Sequence, residues 1–304
     1  NNSLNASLGP TSQTHFYAGQ LRNKQTLVNA DFAKYFEWGL PTTVAFGAEY
    51  RDETYSIVAG ETASYVIGPF PRAGGAQVFP GFQPSDAGSH SRNNTSVYLE
   101  FDTDFSEKFN ASIAARYEDY SDFGSTTSGK LSARYAFTDR YALRGTVASG
   151  FRAPSLAQQN YSTTSSVLTS GTIVETRTFP VNTAVARAFG AEPLKAEESL
   201  SYSLGFVAQP TDSFTLSIDA YQIQIDDRIV LSENLTGIAV ENYLTQLGFP
   251  GVRGGRYFTN AVDTRTRGVD LVANWHTQVG GGALDLSAGY NYNKTEITKT
   301  QPNP

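Results

Sequence analysis

Apolar and polar side chains alternate with a period of two residues over most of this 304-residue chain. In the clearest stretch, Phe109, Ile113 and Tyr117 belong to an apolar series that alternates with polar residues such as Arg116 and Glu118. A period of two predicts β-strands that have one apolar face and one polar face. The pattern predicts ten strands, at 26–36, 42–57, 93–104, 108–120, 128–137, 140–150, 197–208, 213–227, 264–277 and 283–297.

The connections between the predicted strands alternate between short turns and longer loops. The short turns lie at 37–41, 105–108, 138–139, 209–212 and 278–282, and the longer loops at 58–92, 121–127, 151–196 and 228–263. An antiparallel meander has this parity when all its tight turns lie at one end, which is the pattern of outer-membrane barrels. We therefore predict an all-β fold, an antiparallel up-and-down transmembrane β-barrel.

One of the longer loops contains a segment with helical spacing. Within residues 236–248, apolar side chains recur at three- and four-residue intervals up to Leu247, and Gly248 follows. This spacing, ended by a glycine, predicts one short helix in an outer loop. We expect its apolar stripe to pack onto the mouth of the barrel.

Aromatic residues flank both ends of the predicted strands. Those beside the tight turns are Phe105, Phe109, Phe137, Tyr141 and Phe214, and those near the other strand ends are Tyr50, Tyr117, Tyr290 and Tyr292. A ring with one apolar and one hydrated side is favourable at a water–lipid boundary. The two sets therefore predict a lower and an upper aromatic girdle.

The polar faces of the strands carry charges of both signs, including Arg116, Glu118, Lys130 and Arg134. Buried charges cost several kcal/mol unless they are paired, so a dry interior would not accept them. A lipid-facing arginine at the bilayer midplane costs about 2–4 kcal/mol. The charged faces are therefore expected to line a wet lumen or to meet a polar plug.

Composition narrows the possible functions. The net charge is -6 and the isoelectric point is about 5.2, which does not suggest a nucleic-acid partner. The chain has no cysteine, and its three histidines, His15, His90 and His276, lack metal-ligand spacing. We find no catalytic constellation, so we expect no enzyme activity, no metal and no cofactor.

The segment "LRGTVASGFRAPSLAQQNY" (143–161) closely resembles the barrel of TonB-dependent outer-membrane receptors. Three further segments agree with that family: "AARYEDYSDFGSTTSGKLSARYAF" (114–137), "SIDAYQIQIDDRIV" (217–230) and "NAVDTRTRGVDLVANW" (260–275). The resemblance implies a 22-stranded barrel in the bacterial outer membrane, with an N-terminal plug inside it. It also implies capture of a scarce nutrient at the outer loops and its import by energised transport.

Neither a plug nor a TonB box is found in this sequence, and the chain ends after an upward strand without a closing aromatic strand. We therefore expect residues 1–304 to be part of the barrel domain. The resemblance further implies outer-membrane lipid, the TonB complex (through the absent plug) and a small nutrient as partners. The residues do not decide whether that nutrient is a ferric siderophore, a glycan, a cobalamin or another compound. We expect a full-length barrel to be monomeric.

The longer loops are the expected place for ligand binding, since function concentrates on loops held by a rigid scaffold. Arginines would hold an anionic ligand such as an iron chelate, and aromatic rings would stack on a sugar or a flat ring. The candidate contacts chosen by residue type are Arg72, Phe79, Phe82, Tyr161, Tyr243, Arg253 and Arg256.

Two other classes of protein fit part of the pattern. A small self-contained outer-membrane barrel would be a passive porin or a protease, although a protease requires an acidic and histidine cluster that the scattered histidines do not suggest. A soluble carbohydrate-binding β-sandwich would cover the apolar strand faces with a second sheet. The exposure of those faces separates the sandwich from the membrane barrel.

Overall fold

The computed structural model describes residues 3–37, 39–77, 79–169, 172–250 and 252–301, and most of them lie in β-strands. In chain order the strands are β1 (Gln20–Glu37), β2 (Pro41–Val58), β3 (Gly88–Ser106), β4 (Phe109–Tyr120), β5 (Gly124–Thr138), β6 (Tyr141–Arg152), β7 (Thr163–Thr169), β8 (Thr172–Thr178), β9 (Glu197–Thr211), β10 (Phe214–Leu231), β11 (Leu235–Thr236), β12 (Gly254–Arg256), β13 (Phe258–Val279) and β14 (Gly282–Thr300). The helices are a 3-10 helix (Ala6–Thr11), α1 (Thr62–Tyr65), α2 (Leu156–Asn160), α3 (Ala184–Ala188) and α4 (Ile238–Gln246).

Ten of these strands form one sheet in the order β1-β2-β3-β4-β5-β6-β9-β10-β13-β14. Every neighbouring pair is antiparallel, so the sheet is an up-and-down meander. The order starts at β1 and ends at β14, and the sheet is open. The ten predicted strands and the antiparallel barrel-type topology are therefore confirmed.

Several strands extend further at the loop end than the sequence predicted. β1 begins at Gln20 rather than at residue 26, β10 continues to Leu231, and β13 begins at Phe258. Residues 20–25 read "QLRNKQ", with polar side chains on both faces. A strand extension that is hydrated on both faces shows no alternation of apolar and polar residues, so its length depends on backbone pairing with the neighbouring strand.

The apolar face of the sheet is the exposed one, as β4 illustrates. Ile113 and Tyr117 are 58% and 46% exposed, whereas Ser112 and Glu118 on the opposite face are buried. Phe46 on β2 and Leu286 on β14, near opposite ends of the sheet order, are also about half exposed. No second layer within the described residues covers this face, which contradicts the soluble sandwich and fits contact with lipid.

Aromatic rings gather beside the tight turns, as predicted. The ring centroids of Phe105 and Phe109 are 5.6 Å apart, and those of Tyr135 and Phe137 are 5.2 Å apart. At the other strand ends, the four predicted upper-girdle tyrosines are all exposed: Tyr50, Tyr117, Tyr290 and Tyr292. Exposed rings at both levels fit two girdles on the outer surface.

The opposite face carries paired charges. Arg144 donates to Asp219 with a closest approach of 2.8 Å between Nη2 and Oδ2. Gly205 lies between them, and a Cβ added there would stand 2.1 Å from an Asp219 carboxylate oxygen. The glycine therefore leaves room for a charge pair that points into the lumen.

A second, four-stranded sheet lies among the loops, in the order β11-β12-β8-β7. The predicted helix is present as α4, and its buried residue Leu244 packs with Phe179, Val252 and Tyr257. The apolar stripe therefore packs within the loops, not on the mouth of the large sheet as we expected. Among the described helices, none is long and apolar enough to cross a membrane.

Candidate ligand-binding site among the outer loops

Three long loops meet at the end of the sheet that is opposite the tight turns. We name them loop A (residues 59–87), loop B (residues 153–196) and loop C (residues 232–257). Each follows a strand that runs away from the tight turns, so the meander brings all three to one side. Because the strands fix both ends of each loop, contacts between the loops depend on tertiary structure.

A buried ion pair joins loop A to loop B. Nη2 of Arg177 lies 2.6 Å from Oδ1 of Asp86, and the two side chains are 4% and 0% exposed. The hydroxyl of Ser162 donates to the same Asp86 oxygen at 2.6 Å, and Arg177 donates to Thr164 at 3.2 Å. Burial lowers the pKa of the Arg177 guanidinium, and the Asp86 carboxylate opposes that fall. A buried pair with these additional hydrogen bonds holds the two loops in one arrangement.

Loop C reaches the same guanidinium through an aromatic ring. The Arg177 guanidinium carbon lies 4.9 Å from the ring centroid of Phe249, in loop C, and 5.7 Å from that of Phe179. A desolvated cation over a ring face is favourable by about 2 kcal/mol. Arg177 therefore contacts all three loops, through Asp86, its own loop and Phe249.

A crevice of about 330 Å³ lies between the three loops. Its walls include Gln83 from loop A, Glu175 and Arg177 from loop B, and Phe249 from loop C. Burial raises the pKa of the Glu175 carboxyl, and the nearby Arg253 charge partly offsets the rise. The crevice thus presents a carboxyl, a guanidinium and an aromatic ring, and none of the seven predicted contacts lines it.

Three of the seven predicted residues, Phe79, Phe82 and Tyr161, lie together in an aromatic cluster. The ring centroids of Phe79 and Phe82 are 5.2 Å apart, and those of Phe82 and Tyr161 are 6.3 Å apart. They pack around Tyr55 and Leu156, and Phe82 is only 4% exposed. Burial raises the pKa of the Tyr161 hydroxyl. This cluster packs loops A and B onto the strand ends, so Phe82 is better placed for packing than for ligand contact.

The cationic members of the predicted set are scattered. Arg253 is exposed and lies 3.7 Å from Glu241, measured between Nε and Oε1. Arg256 donates to Thr178 at 2.9 Å. Arg72 is exposed, and its guanidinium has no hydrogen bond within the described residues.

The remaining predicted residue, Tyr243, lies on α4 with its ring centroid 5.7 Å from that of Phe189. The structure therefore does not bring the seven residues into one site. Their direct contact with a ligand stays a prediction.

The "GFRAPS" segment attaches loop B to the rim of the sheet. Arg92 on β3 donates to the Pro154 carbonyl at 2.7 Å and pairs with Glu53 at 2.5 Å. Ser155 begins α2 with a capping box completed by Gln158. The segment that carried the family resemblance therefore also has a structural role, because its contacts fix the start of loop B at the ends of the strands.

The sequence did not identify Asp86, Glu175 or Arg177 as functional candidates. Asp86 and Arg177 are 91 residues apart, in loops without a regular period. A charged pair within the otherwise β-branched run "TIVETRT" (172–178) was the only available signal, and it is weak. No group of three or more histidine, cysteine, aspartate or glutamate side chains suited to a metal ion occurs in the part of the chain that the structure describes.

Comparison with known families agrees with this architecture. The sequence model described as "TonB dependent receptor-like, beta-barrel" matches residues 1–304, the whole chain. The chain therefore belongs to the TonB-dependent receptor β-barrel family. No curated protein sequence matches it.

Solved structures of similar fold include three iron-uptake proteins. The siderophore receptor PirA from Pseudomonas aeruginosa has 17% identity and a TM-score of 0.65, with 92% of this chain covering 44% of that one. A mutant ferric enterobactin receptor (PfeA) from Pseudomonas aeruginosa, in complex with enterobactin, has 14% identity and a TM-score of 0.63. The match covers 92% of this chain and 36% of that one. The FrpB iron transporter from Neisseria meningitidis has 14% identity and a TM-score of 0.59. The match covers 93% of this chain and 38% of that one. The chain spans less than half of the length of each of these proteins.

Proposed function

We propose that this chain belongs to a bacterial outer-membrane receptor that captures a scarce nutrient at loops A, B and C and imports it by TonB-driven transport. The main supporting observation is the sidedness of the sheet, with a lipid-type apolar face, a charged lumen face and every long loop at one end. This arrangement fits a barrel that spans the outer membrane and presents its loops to the outside. The proposed role is transport, without chemistry on the nutrient.

Among the nutrients considered, we favour a ferric siderophore. Its support is the likeness to siderophore receptors and to a ferric enterobactin receptor, combined with cationic and aromatic groups in the loops. Arg72 and Arg253 are exposed cations suited to an anionic chelate, and Phe249 offers a ring beside the crevice. A glycan or a cobalamin would depend less on those cations.

The loops supply a preformed platform in this proposal. Because Arg177 and Asp86 are buried and paired, loops A and B do not need to be ordered when the ligand arrives, which reduces the entropic cost of binding. Residues of this chain bind and orient the ligand and hold the scaffold. The TonB-driven step is assigned to no residue of this chain.

A growth assay tests the transport proposal. The complete open reading frame is expressed in a strain that lacks its own siderophore receptors, with and without a functional TonB complex, on iron-limited medium. We expect growth on at least one defined ferric siderophore, only when TonB is present, and recovery of the protein in the outer-membrane fraction. Recovery in the soluble fraction, or uptake that is independent of TonB, would contradict the proposal.

A binding assay tests the anionic nature of the ligand. We expect Arg72→Ala to weaken binding of the ferric siderophore that supports growth by about two- to five-fold, as for loss of one exposed charge contact. Lys108→Ala removes the same charge at the tight-turn end and serves as the matched control. Equal affinities of the two variants, measured by quenching of intrinsic fluorescence, would remove Arg72 from the site.

A further inference from the structure

A groove of about 630 Å³ lies on the outward, apolar face of the sheet, across β9, β10, β13 and β14. Tyr202 and Leu204 form one wall, and Tyr292 forms the other. Ala220 and Val269, which pair across β10 and β13, form the floor between them. Because Ala220 and Val269 are smaller than the tyrosines on either side, an open groove runs along the strands between the two rings. This groove is separate from loops A, B and C.

The loop end of the groove is cationic. Arg267 donates through Nε to Gln222 at 2.7 Å, and this is the only hydrogen bond of its side chain within the described residues. Lys294, paired with Arg267 across β13 and β14, is 66% exposed and lies 2.6 Å from Glu296. Arg265 lies two residues further along β13, opposite Glu296, so the outward residues at 265 and 267 on β13 and at 294 and 296 on β14 carry three positive charges and one negative charge.

The height of these cations matches the edge of a membrane. Arg267 lies ten residues from Thr277, which is close to the tight turn after β13. At about 3.3 Å per residue on a strand tilted by about 40°, that separation is about 25 Å, the height of the apolar band of an outer-membrane barrel. The cations therefore lie where lipid headgroups begin, on the side away from the tight turns.

The charge of the outward residues at this height differs from strand to strand. On β4, Asp119 lies ten residues from Phe109 and belongs to the same outward series. On β2, Asp52 lies ten residues from Thr42 and is also outward by alternation. The level of Arg267 is therefore acidic on β2 and β4, while Lys24 on β1, paired with Thr54, is an outward cation close to it. An anionic lipid would be attracted to the cations beside the groove and repelled from β2 and β4.

We propose that this groove binds a phosphorylated, acylated lipid of the outer leaflet, an inference that rests on the proposed outer-membrane location. An acyl chain lies over Ala220 and Val269, between the rings of Tyr202 and Tyr292. The phosphate is held by Arg267 and Lys294, since guanidinium and ammonium donors form strong charge-assisted hydrogen bonds with phosphate. The lipid stabilises the outer surface of the barrel at a distance from the nutrient-binding loops.

The test uses the complete receptor, purified and probed by native mass spectrometry with bisphosphorylated lipid A or with the same lipid lacking its phosphates. The variant Arg267→Gln with Lys294→Gln removes the proposed phosphate contacts. The variant Lys130→Gln with Arg134→Gln removes two charges from the lumen face and is the matched control. Heat-modifiable migration on a gel verifies that each variant is folded.

We expect the groove variant to bind bisphosphorylated lipid A about ten- to thirty-fold more weakly than the parent and the control, on the basis of two basic residues at an anionic surface. The parent should lose a similar factor with the dephosphorylated lipid, and a few millimolar inorganic phosphate should not compete. Equal binding by the groove variant and the control, or no dependence on the phosphates, overturns the proposal. Competition by inorganic phosphate instead identifies a simple anion site and also overturns it.

Siderophore-dependent growth separates this inference from the proposed function. We expect the groove variant to support growth at the parent's rate when it reaches the outer membrane in equal amounts. If the parent receptor supports siderophore-dependent growth but binds lipid A equally well with and without its phosphates, the lipid site alone is refuted. Failure of TonB-dependent uptake with intact lipid binding would refute the transport function alone.

Discussion

An arginine at the middle of the lipid-facing surface provides the most direct test of the orientation of the sheet. Ile113 on β4 is 58% exposed and lies midway between Phe109, beside a tight turn, and Tyr117, in the upper girdle. The separation of eight residue steps between those two rings corresponds to about 20 Å along the membrane normal for a strand tilted by about 40°. Ile113 is therefore about 10 Å from both girdles, close to the bilayer midplane.

We expect Ile113→Arg to reduce the free energy of folding into a bilayer by about 2–4 kcal/mol, the cost of an arginine at this depth. The control is the next residue, Ala114, which faces the lumen. On the neighbouring strands its partners are Glu100 and Lys130, whose charged atoms are 3.5 Å apart. Ala114→Arg adds the same side chain beside a carboxylate and water, so we expect a loss below about 1 kcal/mol.

The measurement is denaturant titration of the complete receptor in lipid vesicles, followed by intrinsic fluorescence and by heat-modifiable migration. A difference of 2–4 kcal/mol corresponds to about a 30- to 1000-fold change in the folding equilibrium. Equal losses in the two variants, or a larger loss in Ala114→Arg, would show that the exposed face does not contact hydrocarbon. That result would remove the basis of the membrane assignment.

Two further predictions concern the loops. Arg177→Met leaves the Asp86 carboxylate buried and unpaired, so we expect the opening free energy of loops A and B, measured by hydrogen exchange, to fall by about 3–5 kcal/mol. The double variant Arg177→Met with Asp86→Leu removes both charges and should recover most of that loss. If the double variant recovers less than half of the lost opening free energy, the Asp86–Arg177 ion pair is not what holds the two loops together. Burial raises the pKa of Glu175 above its unfolded value, so its contribution to loop stability is complete below the unfolded pKa and is lost as pH rises through the folded pKa. We expect proteolysis of loop B to accelerate as the pH rises above about 4.5, the ordinary pKa of a glutamate, and Glu175→Gln to reduce that acceleration. The Arg253 charge opposes part of the effect. An identical pH dependence in both proteins would contradict the assignment.

The membrane part of the molecule could be predicted well because its physical constraint is local. Lipid on one face and water on the other require alternate residues such as Ile113 and Ala114 to differ, and that difference is visible in single residues. The same reasoning identified the aromatic rings at the tight turns. It located the strand ends less well, because the extensions of β1 and β13 are hydrated on both faces and lose the alternation.

The loops could be predicted only in part. Helical spacing correctly indicated α4, because an apolar stripe is a local signal. Residue type led to Phe82 as a candidate ligand contact, which stays a prediction, but did not indicate that its ring is buried in packing between loops A and B. Aromatic residues serve both purposes, and only the surrounding contacts distinguish them.

The chain sequence by itself determined the strands, their two faces, the side on which the long loops lie and the resemblance to the receptor family. These features follow from the chemistry of neighbouring residues and from the parity of a meander. Tertiary structure alone decided that Asp86 meets Arg177, that Phe249 covers the same guanidinium, and that Arg267 and Lys294 stand at the head of an apolar groove. Loop packing brings Asp86, Arg177 and Phe249 together, and the register of β13 and β14 places Arg267 beside Lys294. Neither arrangement can be read from the order of the residues.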